Sequence, residues 1–410
     1  MFKFLLIRNL RRLLREGNLV VHLPNHQFVN FGDGSGQRVI VRMKNQRVIR
    51  RLVSNPELAL GEGYTNGDII IADDNLHGLL EIVVRNYNNQ TLNWWAHGLK
   101  RLRIARRRFD QNNFASIARR NVAHHYDLSG KLYDLFLDHD RQYSCAYFEH
   151  PDNTLEEAQA HKKSHIAAKL LLAPGQRVLD IGCGWGGMAI SLARDYGVYV
   201  VGITLSKEQF NVASARARAA GLSDLVEFRL CDYRNVSGPF DRIVSIGMFE
   251  HVGLPHYDTY FQKIRDLLTP DGVALVHTIG RCASPDATNP WISKYIFPGG
   301  YVPSMSEVLP AIEKANLWLD DIETLRLHYA TTLRHWYDRF QSNREKVAAI
   351  YDDQFVRMWR FYLVASEQTF RFGPQAVFQF QLSRAQDAVP LTRDYLYASM
   401  QVKQSSRAAE

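Results

Sequence analysis

Asp180, Thr204, Asp232, Glu250 and His277 each fall at or near the end of a short apolar run in the sequence. If those runs are strands of an open parallel sheet, all five side chains gather along its carboxyl edge, where such sheets bind ligands. Directly after Asp180 comes Gly182-Cys183-Gly184-Trp185-Gly186-Gly187, a match to G-x-G-x-x-G at Gly182, Gly184 and Gly187. Glycine permits a tight turn with positive φ and lets a ligand approach bare backbone. Glu250 and His277 would stand on neighbouring strands. A buried carboxylate is costly unless it is paired or hydrogen-bonded, so each needs a polar partner there, and together they could hold or move a proton. Cys145 is too far from any evident base in the sequence to be read as a nucleophile from spacing alone.

The elements that must position these groups follow in regular alternation. Leu155 to Leu172 has helical periodicity and leads through Pro174-Gly175 into the strand Val178 to Ile181. A short helix, Met188 to Tyr196, then opens the way to a second strand at Val198 to Gly202. Further on come helix Ser206 to Ala220, strand Val226 to Leu230, strand Arg242 to Gly247, helix Tyr257 to Leu268 and strand Val273 to Ile279. Strands alternating with helices predict a parallel, doubly wound α/β sheet. A strand at Trp318 to Leu325, aromatic helices from Thr332 to Phe370 and a late strand at Val377 to Leu382 complete it. An acid before the first glycine, with the next strand one short helix away, is the order of S-adenosylmethionine (SAM) methyltransferases rather than of nicotinamide enzymes. SAM has no pyrophosphate, so the turn would seat its methionine part. The position that often carries a ribose-holding acid reads Ile203-Thr204-Leu205-Ser206, so hydroxyls or Gln209 must take that role.

The 410 residues suggest more than one domain. Residues 1–98 read as a small N-terminal α+β domain, with strands at Gly36 to Met43 and Ile69 to Ala72 and a helix from Leu76 to Asn86. Residues 99–112 form a basic linker, 113–398 the catalytic domain and 399–410 a disordered tail. A hydrophobic content of 46% describes a folded protein with an ample core, while a net charge of +8 points to an anionic partner. Four widely spaced cysteines without a C-x-x-C pair argue against a disulfide framework or a zinc site. No apolar run reaches the roughly 20 residues that span a bilayer. Met1 to Arg15 winds into a basic amphipathic helix, with leucines on one face and Arg8, Arg11, Arg12 and Arg15 on the other. Such a helix can lie in a membrane interface or pack on its own domain.

Tyr143-Ser144-Cys145-Ala146-Tyr147-Phe148, Thr204-Leu205-Ser206-Lys207-Glu208-Gln209, Phe249-Glu250-His251-Val252-Gly253 and His277-Thr278-Ile279-Gly280 appear in order around the glycine turn. His328-Tyr329-Ala330-x-Thr332-Leu333-x-x-Trp336 follows. Together they resemble the cyclopropane-fatty-acid synthase family, which includes the mycolic acid cyclopropane synthases, over about Asn121 to Leu382. Gly61-Glu62-x-Tyr64-x-x-Gly67 resembles the N-terminal domain of the phospholipid-modifying members. The resemblance implies a Rossmann-like SAM methyltransferase sheet. Tyr143, Ser144, Asp180, Gly182, Gly184, Thr204, Leu205, Gln209, Asp232 and Tyr233 would hold SAM. Cys145, Glu250, His277, the backbone of Ile279 and Tyr329 would hold a bicarbonate ion. The implied activity is SAM-dependent methylene transfer to the cis double bond of an unsaturated phospholipid acyl chain. A carbocation, deprotonated by the bicarbonate, would close to a cyclopropane ring. Tyr295, Phe297 and Trp336 are candidates to line the acyl chain or to pack in the core.

Two departures stand out. Ser129-Gly130-Lys131 replaces the glycine-asparagine-aspartate of many members, and the late cysteine of mycobacterial members has no counterpart near Gln379 to Ser383. The second favours the phospholipid branch. The implied partner is an unsaturated phospholipid in an anionic membrane, approached peripherally from the cytoplasmic face, with a homodimer left open. Methylation without ring closure stays open as an alternative. A nucleic-acid partner is disfavoured because no Asn/Asp-Pro-Pro-aromatic motif follows the fourth strand, where the chain reads Gly247-Met248-Phe249-Glu250. A catalytically silent lipid-binding protein would have no need of Cys145, Glu250, His277 and Tyr329 together.

Overall fold

Residues 18–71 supply four short strands in the computed structural model, which describes residues 1–88, 111 and 130–397. They are β1 (Asn18–His22), β2 (Phe28–Phe31), β3 (Arg38–Met43) and β4 (Ile69–Ile71), in the order β2-β1-β3-β4. β1 runs antiparallel to β2 and parallel to β3, and β3 runs antiparallel to β4. The alternation in β3 buries Val39, Val41 and Met43 and turns Arg38 and Arg42 outward. β3, β4 and the helix Leu76–Asn88 lie where the sequence predicts them; β1 and β2 are further strands of the same sheet, and Gln46–Ser54 and Pro56–Thr65 are further helices. Asn45 starts the first of those helices by accepting from the Val48 N–H at 3.0 Å.

By its contacts the chain forms two units, each gathered from separate stretches. The first holds Met1–Arg106, Asp286–Pro298 and Tyr329–Gln375; the second holds Arg107–Pro285, Gly299–His328 and Ala376–Glu410. The expected linker at 99–112, apart from Gln111, and the expected tail at 399–410 lie outside the described residues. In the first unit, the helix Asp353–Phe372 packs on the helices Leu76–Asn88 and Pro56–Thr65. The Gly61-Glu62-x-Tyr64-x-x-Gly67 motif has a physical account here. A Cβ on Gly61 would stand 2.5 Å from the Trp291 indole. Buried Glu62 accepts from Lys294 Nζ at 2.8 Å and the Tyr295 hydroxyl at 2.7 Å, and pairs with Arg51. Tyr64 packs against Phe361, ring centroids 5.9 Å apart, and Gly67 takes a φ of +71°.

The second unit is built on seven strands. They are β5 (Arg177–Ile181), β6 (Tyr199–Thr204), β7 (Val226–Leu230), β8 (Phe240–Ile246), β9 (Leu268–Arg281), β10 (Trp318–Leu325) and β11 (Gln375–Ser383). Their order is β10-β11-β9-β8-β5-β6-β7. β5, β6, β7, β8 and β9 pair in parallel, and β10 pairs antiparallel with β11. β5 is covered on both faces, which is why it reads as an apolar run. Leu179 and Ile181 join a cluster with Phe240, Ile243 and Phe261, while Val178 joins one with Ile166, Met188 and Leu275. After β7 the chain returns to lay β8 on the other side of β5, so the winding reverses between β5 and β8. A ligand crevice opens at such a point. This is the doubly wound α/β sheet that the alternation of strands and helices predicts, and the smaller α+β unit has its own four-stranded sheet.

Candidate active site

The turn after β5 bends as its glycines allow. Gly182 and Gly184 have φ of +83° and +53°, values that L side chains avoid. A Cβ on Gly184 would meet nothing within 4 Å, so bare backbone faces open space there. Gly186 begins the helix Gly187–Tyr196 in the left-handed region, and a Cβ on it would stand 2.6 Å from the Phe228 ring. Gly186 and Gly187 therefore serve packing, as does Gly182, whose Cβ would stand 2.9 Å from the Met248 side chain, and Gly184 alone of the four leaves room for a ligand.

Asp180 is 1% exposed and its Oδ2 has no hydrogen-bond partner among the described residues. Burial raises its carboxyl to about 7, against the pull of the Lys162 ammonium. Lys162 is itself fully buried on the helix Leu155–Lys169, donating to Gln142 Oε1 at 2.7 Å and Ser144 Oγ at 2.9 Å. Burial lowers its ammonium to about 8. This ties the segment of Tyr143 and Ser144 to the helix beside β5, and Gln159 reinforces it by donating to the Ser144 carbonyl at 3.0 Å. Tyr143 packs edge-on against Tyr133 with ring centroids 5.4 Å apart.

At the end of β6, Thr204 Oγ1 donates to Gln209 Oε1 at 2.8 Å and accepts from the Ser206 N–H at 3.1 Å. Leu205 lies between them, and Ser206 caps the helix Lys207–Ala219. Thr204 and Gln209, the alternatives the sequence offers for the ribose-holding role, are thus bonded to each other. Beyond β7, Asp232 accepts from Arg234 at both oxygens, Nε at 2.8 Å and an Nη at 2.7 Å. Tyr233 beside it is mostly buried, with its hydroxyl pushed up to about 12.

Glu250 sits in the short turn Phe249–His251 after β8, 8% exposed. Its Oε1 accepts from the Ile279 N–H at 2.6 Å, and its Oε2 has no partner among the described residues. Burial raises its carboxyl to about 7, while the bond from the Ile279 backbone pulls the other way. The Ile279 backbone, expected to touch the anion, spends its N–H on Glu250. Its carbonyl accepts from Thr278 Oγ1 at 3.0 Å.

His277, 2% exposed on β9, meets Gln379 Nε2 with its Nδ1 at 3.1 Å. Burial first, and then the Lys162 and Lys169 ammonium groups, lower it to about 3, so the ring is neutral. Cys145 is buried in the segment next to Ser144, with its thiol donating to the Ala146 carbonyl at 3.3 Å. Tyr329 belongs to the first unit, at the start of the helix His328–Ser342, where it packs on Trp336 and Phe370. Tyr295, Phe297 and Trp336 belong to that unit too. Tyr295 is tied to Glu62, and Phe297 packs edge-on against Tyr362.

Sequence reasoning missed Lys162, Lys169, Glu323 and Gln379. A signal existed for the lysines. On the helix Leu155–Lys169, the buried side chains of Gln159, Lys162, His165 and Lys169 recur every three or four residues, a polar stripe where an ordinary helix buries apolar groups.

The sequence matches the family described as mycolic acid cyclopropane synthetase over residues 114–380, and a domain family of unknown function, DUF7884, over residues 8–93. It is 43% identical over 260 residues to a probable fatty acid methyltransferase of Pseudomonas putida, spanning 62% of this chain and 66% of that protein. Identity to the cyclopropane-fatty-acyl-phospholipid synthase of Escherichia coli K12 is 40% over 347 residues, 84% of this chain and 87% of that one. A solved mycolic acid cyclopropane synthase complexed with SAH and CTAB superposes with a TM-score of 0.61 at 36% identity, covering 64% of this chain and 97% of the other.

Proposed function

The chain belongs to the mycolic acid cyclopropane synthetase family, and we propose that it builds cyclopropane rings on unsaturated acyl chains of membrane phospholipid. Its class, a SAM-dependent methyltransferase, follows from family and fold. In the proposed reaction an alkene carbon bonds to the SAM methyl group as the C–S bond breaks, its electron pair passing to sulfur. The resulting cation on the acyl chain loses a proton from the new methyl group, and the freed pair closes the ring.

The residues fit this chemistry. The open space at Gly184 and the unpartnered Asp180 Oδ2 suit a ligand with bare backbone contacts and a cationic ammonium. Thr204, Leu205, Gln209, Asp232, Tyr233, Tyr143 and Ser144 would complete the SAM site. A cation is trapped by water, so the site must be dry, and Asp180, Glu250, His277 and Cys145 are all buried. Bicarbonate, when bound, supplies a base that is replaceable, whereas a protein carboxylate in that role risks alkylation. Glu250 would accept from the ion through Oε2 while the Ile279 N–H holds Oε1 in place. His277 and Cys145 are proposed as its remaining contacts within the second unit. Peripheral docking on the anionic inner face of the membrane belongs to the same reading, supported by the arginines of the helix Phe2–Leu13 and by exposed Phe4.

The observation that carries the proposal is Glu250 itself, buried, half-tethered and left with one oxygen unpartnered. Mass spectrometry of lipids from a host expressing the protein with labelled methionine tests it. A gain of one methylene that resists hydrogenation means a ring. The identity to a probable fatty acid methyltransferase favours a second reading, methylation without closure; there the gain is the same but the product takes up hydrogen.

A further inference from the structure

Buried Lys169 and Gln379 and partly exposed Glu323 line up behind His277, outside the proposed reaction. Glu323 on β10 and Gln379 on β11 are direct cross-strand partners. Glu323 Oε2 accepts from Lys169 Nζ and, at 2.6 Å, meets His165 Nε2. Burial pushes the Glu323 carboxyl up, but the bonds and charges of His165 and Lys169 outweigh it and hold it at about 2. Lys169 also donates to Gln379 Oε1 at 2.8 Å, and Gln379 Nε2 meets His277 Nδ1 at 3.1 Å. Lys169 and Gln379 are both 0% exposed, so water offers no alternative partner.

An ammonium can only donate, which fixes the amide oxygen of Gln379 toward Lys169. The amide nitrogen, also a donor, then faces His277. Nδ1 must be the bare, accepting nitrogen, because a proton there would set two donors against each other. We infer that Lys169 and Gln379 are positioning residues that lock His277 as the Nε2–H tautomer, making it a fixed hydrogen-bond donor to the oxyanion of the active site. Nε2–H makes no hydrogen bond of its own among the described residues. A ring locked in this way has no lone pair at Nε2 with which to take a proton, so His277 orients the base and does not replace it. This consequence rests on the bound-anion reading; the tautomer itself does not.

The test uses the full-length protein labelled with ¹⁵N-histidine, with the His277 ring assigned from its loss in His277→Asn. At neutral pH the wild type should show a protonated Nε2 and a bare Nδ1. Gln379→Glu is close to isosteric and can only accept at that position, so it should move a proton onto Nδ1. Its kcat should fall about tenfold or more, in the lower range of acid–base effects, with the SAM KM unchanged. Lys169→Met, which frees the amide to flip, should give both tautomers. A wild-type ring protonated on Nδ1, or a Gln379→Glu ring still bare there, would overturn the relay. Full activity in a Gln379→Glu enzyme whose ring carries the Nδ1 proton would overturn the donor role. Failure of the bicarbonate reading shows elsewhere, as indifference of the wild type to purging dissolved carbonate.

Discussion

The Ile279 N–H, just past His277 on β9, donates to Oε1 of Glu250 in the turn after β8 at 2.6 Å. The two strands are parallel neighbours, with Ile246 opposite His277. One bond thus fixes the carboxylate of one strand end by the backbone of the next, and leaves Oε2 as the accepting atom.

Glu250→Gln keeps the Oε1 acceptor for Ile279 and places an N–H donor where Oε2 stood. The variant should bind SAM normally by calorimetry and lose about 10² to 10⁴ in turnover, the usual span of general-base effects. Near-wild-type turnover would remove Glu250 from the reaction.

Asp180 gives SAM binding a pH dependence. Its carboxyl is raised from 3.8 to about 7, chiefly by burial, and the ionised form is the one that attracts an ammonium. Affinity should rise with pH up to about 7 and weaken about tenfold per unit below it, with proton release visible as buffer-dependent heat. The sign for stability is the reverse: the folded state holds the extra proton between 3.8 and about 7, so Asp180 costs stability as pH rises through that window. Asp180→Asn should bind weakly at every pH without the slope.

Cys145→Ser should retain substantial activity. The buried thiol donates to the Ala146 carbonyl at 3.3 Å, and a hydroxyl can make the same bond or one to an ion. Activity as low as that of Glu250→Gln would point to a cysteine nucleophile instead.

Gly61→Ala would push a methyl into the Trp291 indole, whose nearest atom lies 2.5 Å from the ideal Cβ. Overpacking of this kind costs about 1–3 kcal/mol. Denaturant unfolding followed by tryptophan fluorescence should shift by that amount, and an unchanged midpoint would mean that the helix gives way freely.

The helix Phe2–Leu13 buries Leu6 while Phe2 and Phe4 remain exposed at 36% and 69%. Replacing Arg8, Arg11 and Arg12 together with Glu should release the protein from anionic vesicles, since each basic residue near such a surface contributes about 1 kcal/mol. Wild-type sedimentation should weaken as salt rises. Binding that ignores both changes would leave these arginines as solvated surface.

Much of the catalytic unit was legible because parallel strands buried on both faces announce themselves as apolar runs, as Val178 to Ile181 does. The glycine turn and Thr204 with Gln209 were legible for a related reason: their roles are local, set within a few residues. Lys169, Glu323 and Gln379 were not, since their meaning depends on the pairing of β10 with β11 beside a helix some 150 residues earlier in the chain. In Phe378-Gln379-Phe380-Gln381 the alternation suggests a strand with a wet face, yet both glutamines are 0% exposed. Their amides bond inward, where a sequence pattern alone would send them to solvent.

The gathering of each unit from three separate stretches shapes how the protein can be made. Synthesis delivers the chain N-terminus first, so the helices Pro56–Thr65 and Leu76–Asn88 leave the ribosome hundreds of residues ahead of Asp353–Phe372, the helix that covers them. The sheet waits in the same way, with β5 to β9 complete while β11, which brings Gln379 to His277, is still to be translated. Neither unit corresponds to a continuous piece of the gene, so an early stop that removes β11 and the long helix before it leaves both unfinished.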